Sequence, residues 1–180
     1  MMGMGHRLST AAWVGAGTVA VGLPPVQAVV CTALATAVAG GRWSPDIDQY
    51  DSWKALTRVV QAHRWGRRSR GSDPTGMWRH RCVTHWWGWE ALAALAVVSM
   101  VPQFLWFVAL APVAGWASHL AGDFVIGGAG GGRGAGVPVL PWGPWVGLGF
   151  RCQSAAEYLV CGLSPVVSVV FVCGRWSGRW

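Results

Sequence analysis

The stretch LSTAAWVGAGTVAVG-LPP-VQAVVCTALATAVAG, residues 8–40, decides the fold. It contains no charged residue and is interrupted once, at Pro24-Pro25, a pair that cannot continue a helix and restricts the residue before it. Two apolar arms, residues 8–22 and 26–40, therefore read as a helical hairpin. Each arm is at the short end for about 30 Å of hydrocarbon, so tilted or thin spans and a partly embedded hairpin all fit.

The same pattern recurs further along. A second hairpin has one arm from about Trp86 to Met100, a break at Val101-Pro102, and a second arm from Gln103 to about Val125. Between the hairpins, Trp53, Leu56, Val59 and Val60 fall at helical spacing with Lys54, Arg58, Gln61 and Arg64 around the other side. Residues 52–65 thus predict a basic amphipathic helix on the membrane surface. Residues 66–79, with Arg67, Arg68, Arg70 and Asp73-Pro74, read as a loop facing lipid phosphates. Residues 127–136 are glycine-dominated and read as flexible, and Pro138, Pro141, Pro144, Trp142 and Trp145 as a rigid, interface-seeking loop. A last apolar helix is expected over about 155–173, interrupted at Ser164-Pro165. The expected architecture is all-α: one domain over residues 1–180, a membrane bundle of two hairpins, a C-terminal helix and a surface helix.

Composition agrees. Charged residues make up 12% of the 180-residue chain, where a soluble domain carries about 25%. The net charge of +7 would suit nucleic acid, but the basic residues lie between apolar runs, the mark of cytoplasmic loops, so no specific nucleic acid is expected and membrane lipids are. The fourteen tryptophans favour headgroup interfaces, where an apolar ring with one donor sits well. Cys31, Cys82, Cys152, Cys161 and Cys173 form no CxxC pair and read as buried, reduced thiols. The N-terminal run has no Ala-x-Ala site leading into a polar start and is taken as structure rather than a signal peptide.

The histidines and aspartates carry the chemistry. His6 precedes the first arm, Asp46 and Asp48 follow the second, His80 and His85 precede the third, and His119 and Asp123 lie late in the fourth. If each hairpin goes in and comes back, all seven share one membrane face. His119-x-x-x-Asp123 places two side chains one turn apart, a common way to offer two ligands to one ion. Imidazole with carboxylate suits Zn, Mn or Fe better than Ca or Mg, and one or two ions, Zn or Mn favoured, are expected. Each residue alone has a bland explanation as a helix cap, turn former or arginine partner. Independent caps, however, have no reason to gather at one face and avoid both turns. His63 reads as structural and Asp51 as a helix cap; Glu90 stays open between ligand and general base.

Four segments in order, Ser44-Pro45-Asp46-Ile47-Asp48, His80-Arg81-Cys82-Val83-Thr84-His85, Ser118-His119-Leu120-Ala121-Gly122-Asp123 and Gly136-Val137-Pro138-Val139-Leu140-Pro141, resemble the motifs of a bacterial inner-membrane family described as metal-dependent hydrolases, some of them labelled LexA-binding. With an early His, the match covers residues 6 to about 141. The resemblance implies a multi-helix membrane protein whose metal site is carried by Asp46, Asp48, His80, His85, His119 and Asp123, with His6 beside them. The chain departs from the family pattern at Trp86, where a small polar residue usually follows the second His, and in its glycine tract.

The expected function is metal-dependent hydrolysis of a phosphate ester in a lipid or lipid-linked, phospholipid-like substrate. Asp46 or Asp48 would take a proton, and Arg81 or Arg79 would offset phosphate charge. The alternative is a non-enzymatic membrane protein with a structural metal site, whose basic segment from Lys54 to Arg81 recruits a cytoplasmic protein partner. A metal transporter would need ionisable groups near the midplane, whereas here they cluster at helix ends. The expected location is the inner membrane, multi-pass, with the metal-site face cytoplasmic.

Overall fold

The computed structural model describes residues 3–40, 43–46, 83–126, 136–141, 144–148, 150 and 154–178. The chain is mostly helical: α1 (Gly3–Ala20), α2 (Pro25–Ala39), α3 (Gly88–Met100), α4 (Trp106–Ala109), α5 (Ala111–Val125) and α6 (Ala155–Trp176), with 3-10 turns at Val83–His85 and Gln103–Leu105. The expected surface helix at 52–65, the loop at 66–79 and nearly all of the glycine tract lie outside the described residues.

The turn between α1 and α2 follows from its residues. Gly22 has φ 75°, the left-handed conformation that ends a helix. Its N–H bonds back to Val19 and that of Leu23 to Thr18, closing two otherwise orphaned carbonyls. Pro25 then opens α2, where its missing N–H costs nothing.

α1 packs against α2, α5 and α6, and α2 also packs against α5. Small residues set these distances: Ala12, Ala28, Ala35, Ala39 and Ala111 are buried, and a Cβ added at Gly115 would collide with the carbonyl of Ala35. Named contacts give the helix directions. Gly115 meets Ala35 and His119 meets Ala39, so α5 and α2 ascend together. Thr10 bonds Ser118 while His6 lies by Asp123, so α1 runs against α5. Trp13 Nε1 donates to Ser164 Oγ at 3.1 Å.

Large apolar side chains point outward instead of inward. Leu92, Leu95, Val98 and Met100 of α3 are exposed, as are Leu159, Leu163, Val166, Val167 and Val170 of α6. An exposed apolar belt of this extent fits lipid rather than water. Among the described residues one helix, Ala155–Trp176, is long and apolar enough to cross a membrane. A second qualifies if Gln103–Ala109 and Ala111–Val125, bent by 43°, form one broken span; Pro25–Ala39 and Gly88–Met100 are shorter apolar helices.

Several expectations are corrected. α6 is not interrupted at Ser164-Pro165 but runs through Pro165 to Trp176. Apolar residues on both sides favour keeping that backbone helical, because in hydrocarbon an opened turn exposes more unsatisfied groups than the single bond proline removes. The fourth arm is broken near Leu110, with Pro112 in the first turn of α5. α1 begins at Gly3, so His6 lies inside the helix rather than ahead of it. The proline loop contains a two-residue antiparallel pair, β1 (Val137–Pro138) with β2 (Trp145–Val146). Of the thiols, Cys31 is buried and free, but Cys161 is half-buried and Cys173 exposed; Cys82 and Cys152 lie outside the described residues.

Candidate metal centre

The ends of α2 and α5, the start of α1 and the turn before α3 converge on one cluster. α5 contributes His119 and Asp123, one turn apart on its buried face, and both side chains are fully buried. The 3-10 turn contributes His85, also fully buried. The segment after α2 contributes Asp46, whose side chain is 23% exposed and forms the open edge of the group. α1 contributes His6, stacked on the His119 ring at 3.6 Å with the rings 10° from parallel.

One ligand-type atom from each of Asp46, His85, His119 and Asp123 lies within 4.8 Å of all the others, an arrangement that could hold a metal ion. The separations test the fit. His85 Nε2 is 3.4 Å from Asp46 Oδ1 and 3.3 Å from Asp123 Oδ2, and His119 Nε2 is 3.6 Å from each of those oxygens. Charge-assisted N–H···O bonds are about 2.7–2.9 Å long. A tetrahedral ion with bonds of about 2.0–2.1 Å holds its ligand atoms about 3.3–3.4 Å apart, close to the 3.3 to 3.6 Å found here. His6 Nε2 stands 3.4 Å from Asp123 Oδ1, at the side of this group.

The second nitrogens explain the ring orientations. His119 Nδ1 is 2.6 Å from the carbonyl oxygen of Ala39. A carbonyl only accepts, so Nδ1 carries the proton and Nε2 turns its lone pair toward two carboxylates. That is unfavourable unless a cation lies between them or the ring is protonated, and it is the usual arrangement of a metal-binding imidazole. His85 Nδ1 is hydrogen-bonded to Thr84 Oγ1 at 3.0 Å, a hydroxyl able to accept from it or donate to it. Burial would raise the pKa of Asp46, but the neighbouring His119 and His85 outweigh it and hold the carboxyl well below its usual range.

Among the expected site residues, the structure thus brings Asp46, His85, His119 and Asp123 together with His6 alongside. Asp48, His80 and Arg81 lie outside the described residues, as does Arg79. Two carboxylates come into view that the motifs did not settle. Glu90, in the first turn of α3, is buried, and neither of its oxygens has a hydrogen-bond partner among the described residues. Glu157, in the first turn of α6, is 2% exposed and was missed. It lies seven residues before Ser164, whose Oγ accepts from Trp13 of α1. An acid at the head of an apolar helix was the available signal.

The chain matches the family model of the YdjM inner membrane protein over residues 1–177. It belongs to that family. The membership bears out the resemblance carried by the four motif segments and makes this an inner membrane protein. No curated protein and no solved structure matches the chain.

Proposed function

We propose that the chain is a metal-dependent hydrolase acting on a phosphate ester of a lipid or lipid-linked substrate, built as a multi-pass bundle of two hairpins and a C-terminal helix with its site at the cytoplasmic face. The observation that carries this reading is the convergence of two histidines and two aspartates from three parts of the chain, three of them fully buried and Asp46 on an open edge. Asp46, His85, His119 and Asp123 would hold the ion, with His6 beside them. Asp48 and His80 join them on the strength of the sequence motifs alone. Mixed nitrogen and oxygen donors favour Zn or Mn, and one or two ions fit the number of ligands. A bound ion supplies acidity to water and positive charge opposite the phosphoryl oxygens. The protein orients the two imidazoles through Ala39 and Thr84, and Asp46, at the open edge, or Asp48 would take the proton. Arg81, from its motif, would face the phosphate.

One observation favours a second reading. Four donors suffice to close a tetrahedral ion, and a closed ion would be structural, leaving the basic segment to recruit a cytoplasmic partner. The deciding experiment is metal analysis of protein purified in mild detergent, followed by turnover of a panel of phosphorylated lipids, with Asp46→Asn beside wild type. Stoichiometric metal with turnover that Asp46→Asn abolishes supports the hydrolase. Metal without turnover of any phosphorylated lipid supports the structural site, and wild type with no more metal than a His119→Ala/Asp123→Ala protein rejects both.

A further inference from the structure

A buried hydroxyl pair fixes α1 against α5. Thr10 Oγ1 and Ser118 Oγ lie 2.7 Å apart. His6 is one turn before Thr10 on α1, and Asp123 follows Ser118 on the antiparallel α5, so this clamp sets His6 beside Asp123.

The clamp buries an imidazole whose nitrogens the four-residue group does not use. His6 is fully buried, and neither ring nitrogen has a hydrogen-bond partner among the described residues. It is not one of the four residues whose ligand atoms lie within 4.8 Å of one another. A neutral imidazole offers one N–H and one lone pair, and burying both unsatisfied is unfavourable. Stacking on the His119 ring requires an aromatic face but no nitrogen, so the stack alone does not account for a histidine at this position.

Asp123 supplies what the ring lacks. Its Oδ2 stands 3.3 Å from His85 Nε2 and 3.6 Å from His119 Nε2, while its Oδ1 stands 3.4 Å from His6 Nε2. One carboxylate thus turns its two oxygens toward two separate sets of nitrogens. The gap to His6 exceeds a charge-assisted N–H···O bond of about 2.7–2.9 Å. It matches the separation of two ligands on one tetrahedral ion, about 3.3–3.4 Å. Two ions that share a carboxylate in this way form a pair of the kind that two-metal hydrolytic sites hold about 3.5–4 Å apart.

We infer that His6 Nε2 and Asp123 Oδ1 hold a second divalent ion, joined through the Asp123 carboxylate to the ion at Asp46, His85 and His119. It is the weaker site, with two protein donors among the described residues against four at the first. The inference rests on the metal centre of the hydrolase reading and deepens it by making that centre binuclear. A pair of ions sets two positive charges opposite a phosphoryl group, so that the attacking and the leaving oxygen are both stabilised.

The test titrates full-length, metal-stripped protein in mild detergent with Mn²⁺. Bound ions are counted by metal analysis, and their coupling is read by electron paramagnetic resonance; the count is repeated with Zn²⁺. Wild type is expected to bind two ions per chain, the second about tenfold or more weakly, with a spin-coupled signal once both are bound. His6→Phe keeps a ring against His119 but has no nitrogen. It should bind one ion, with the first affinity changed by less than about threefold and no coupled signal. His6→Leu serves if the Phe variant does not fold. Fewer than two ions of either metal per wild-type chain overturns the inference, and so do two coupled ions in a folded His6 variant, which would leave His6 a packing residue. Two coupled ions that depend on His6, without turnover of any phosphorylated lipid, remove the hydrolase reading and leave the second site. Turnover by wild type that holds one ion per chain does the reverse.

Discussion

His119 Nδ1 donates to the backbone carbonyl of Ala39 at 2.6 Å, so a candidate metal ligand on α5 is oriented by the last residue of α2. One turn earlier on both helices, Gly115 lies against the carbonyl of Ala35. The second contact permits the first, since only a residue without a Cβ lets the helices approach closely enough for the imidazole to reach Ala39.

Gly115→Val should therefore lower metal affinity about 10- to 100-fold although it removes no ligand, the usual effect of disturbing the partner of a metal-binding histidine. Gly162→Ala is the control, because a Cβ there meets nothing within 4 Å. Metal titration of both proteins checks this; equal affinities would show that α5 tolerates the shift and that Ala39 does not orient the ring.

Thr84 plays the corresponding part for His85. Thr84→Val removes the hydroxyl 3.0 Å from Nδ1 while keeping the shape, and is expected to weaken metal binding by roughly tenfold, with Thr84→Ser restoring it. A Val variant that binds metal as tightly as wild type would show that packing alone fixes the His85 ring.

Glu90 leads to a prediction of opposite sign. A buried carboxylate with no hydrogen-bond partner among the described residues destabilises the fold, so its removal should stabilise. Glu90→Leu is expected to raise the stability of the metal-free protein by about 1–3 kcal/mol, read as an increase in thermal midpoint in detergent. A lower midpoint would mean that the carboxylate is paired in the working protein. Loss of metal in the same variant would make Glu90 a ligand.

Much of this was legible in the sequence for a physical reason. Pro24-Pro25 and Val101-Pro102 can only be breaks, and the apolar runs between them can only be helices in lipid, so the ends of α2 and α5 were placed together with Asp46 and His119 before any contact was known. The i, i+4 spacing of His119 and Asp123 likewise fixed their common face. What was not legible depends on atoms without sequence signatures. A backbone carbonyl such as that of Ala39 has none, and the continuation of α6 through Pro165 depends on what surrounds the helix rather than on local preference. Glu157 was overlooked because it carries no motif, although its position in an apolar helix was signal enough.

The last prediction concerns orientation. Twelve of the fourteen Lys and Arg residues lie in segments assigned to the metal-site face, whereas the turns at Pro24-Pro25 and Pro102 carry none, so that face should be cytoplasmic. Arg175 and Arg179 are the exceptions, and the direction of α6 accounts for them. Leu8, Ala12 and Ala16 of α1 face one groove with Pro165, Ser168 and Val169 of α6, and Thr18 and Val19 face the next with Val172 and Trp176, so α6 ascends with α1 and ends near the turn after it. Single cysteines in an otherwise cysteine-free protein, placed within residues 66–75, at Gly22 and at Ser177, should label from the cytoplasmic side, the outer side and the outer side in that order. Labelling within 66–75 only from outside inverts the protein and defeats the charge argument. Labelling of Ser177 from the same side as residues 66–75 would mean that α6, the one helix long enough to cross alone among the described residues, does not cross.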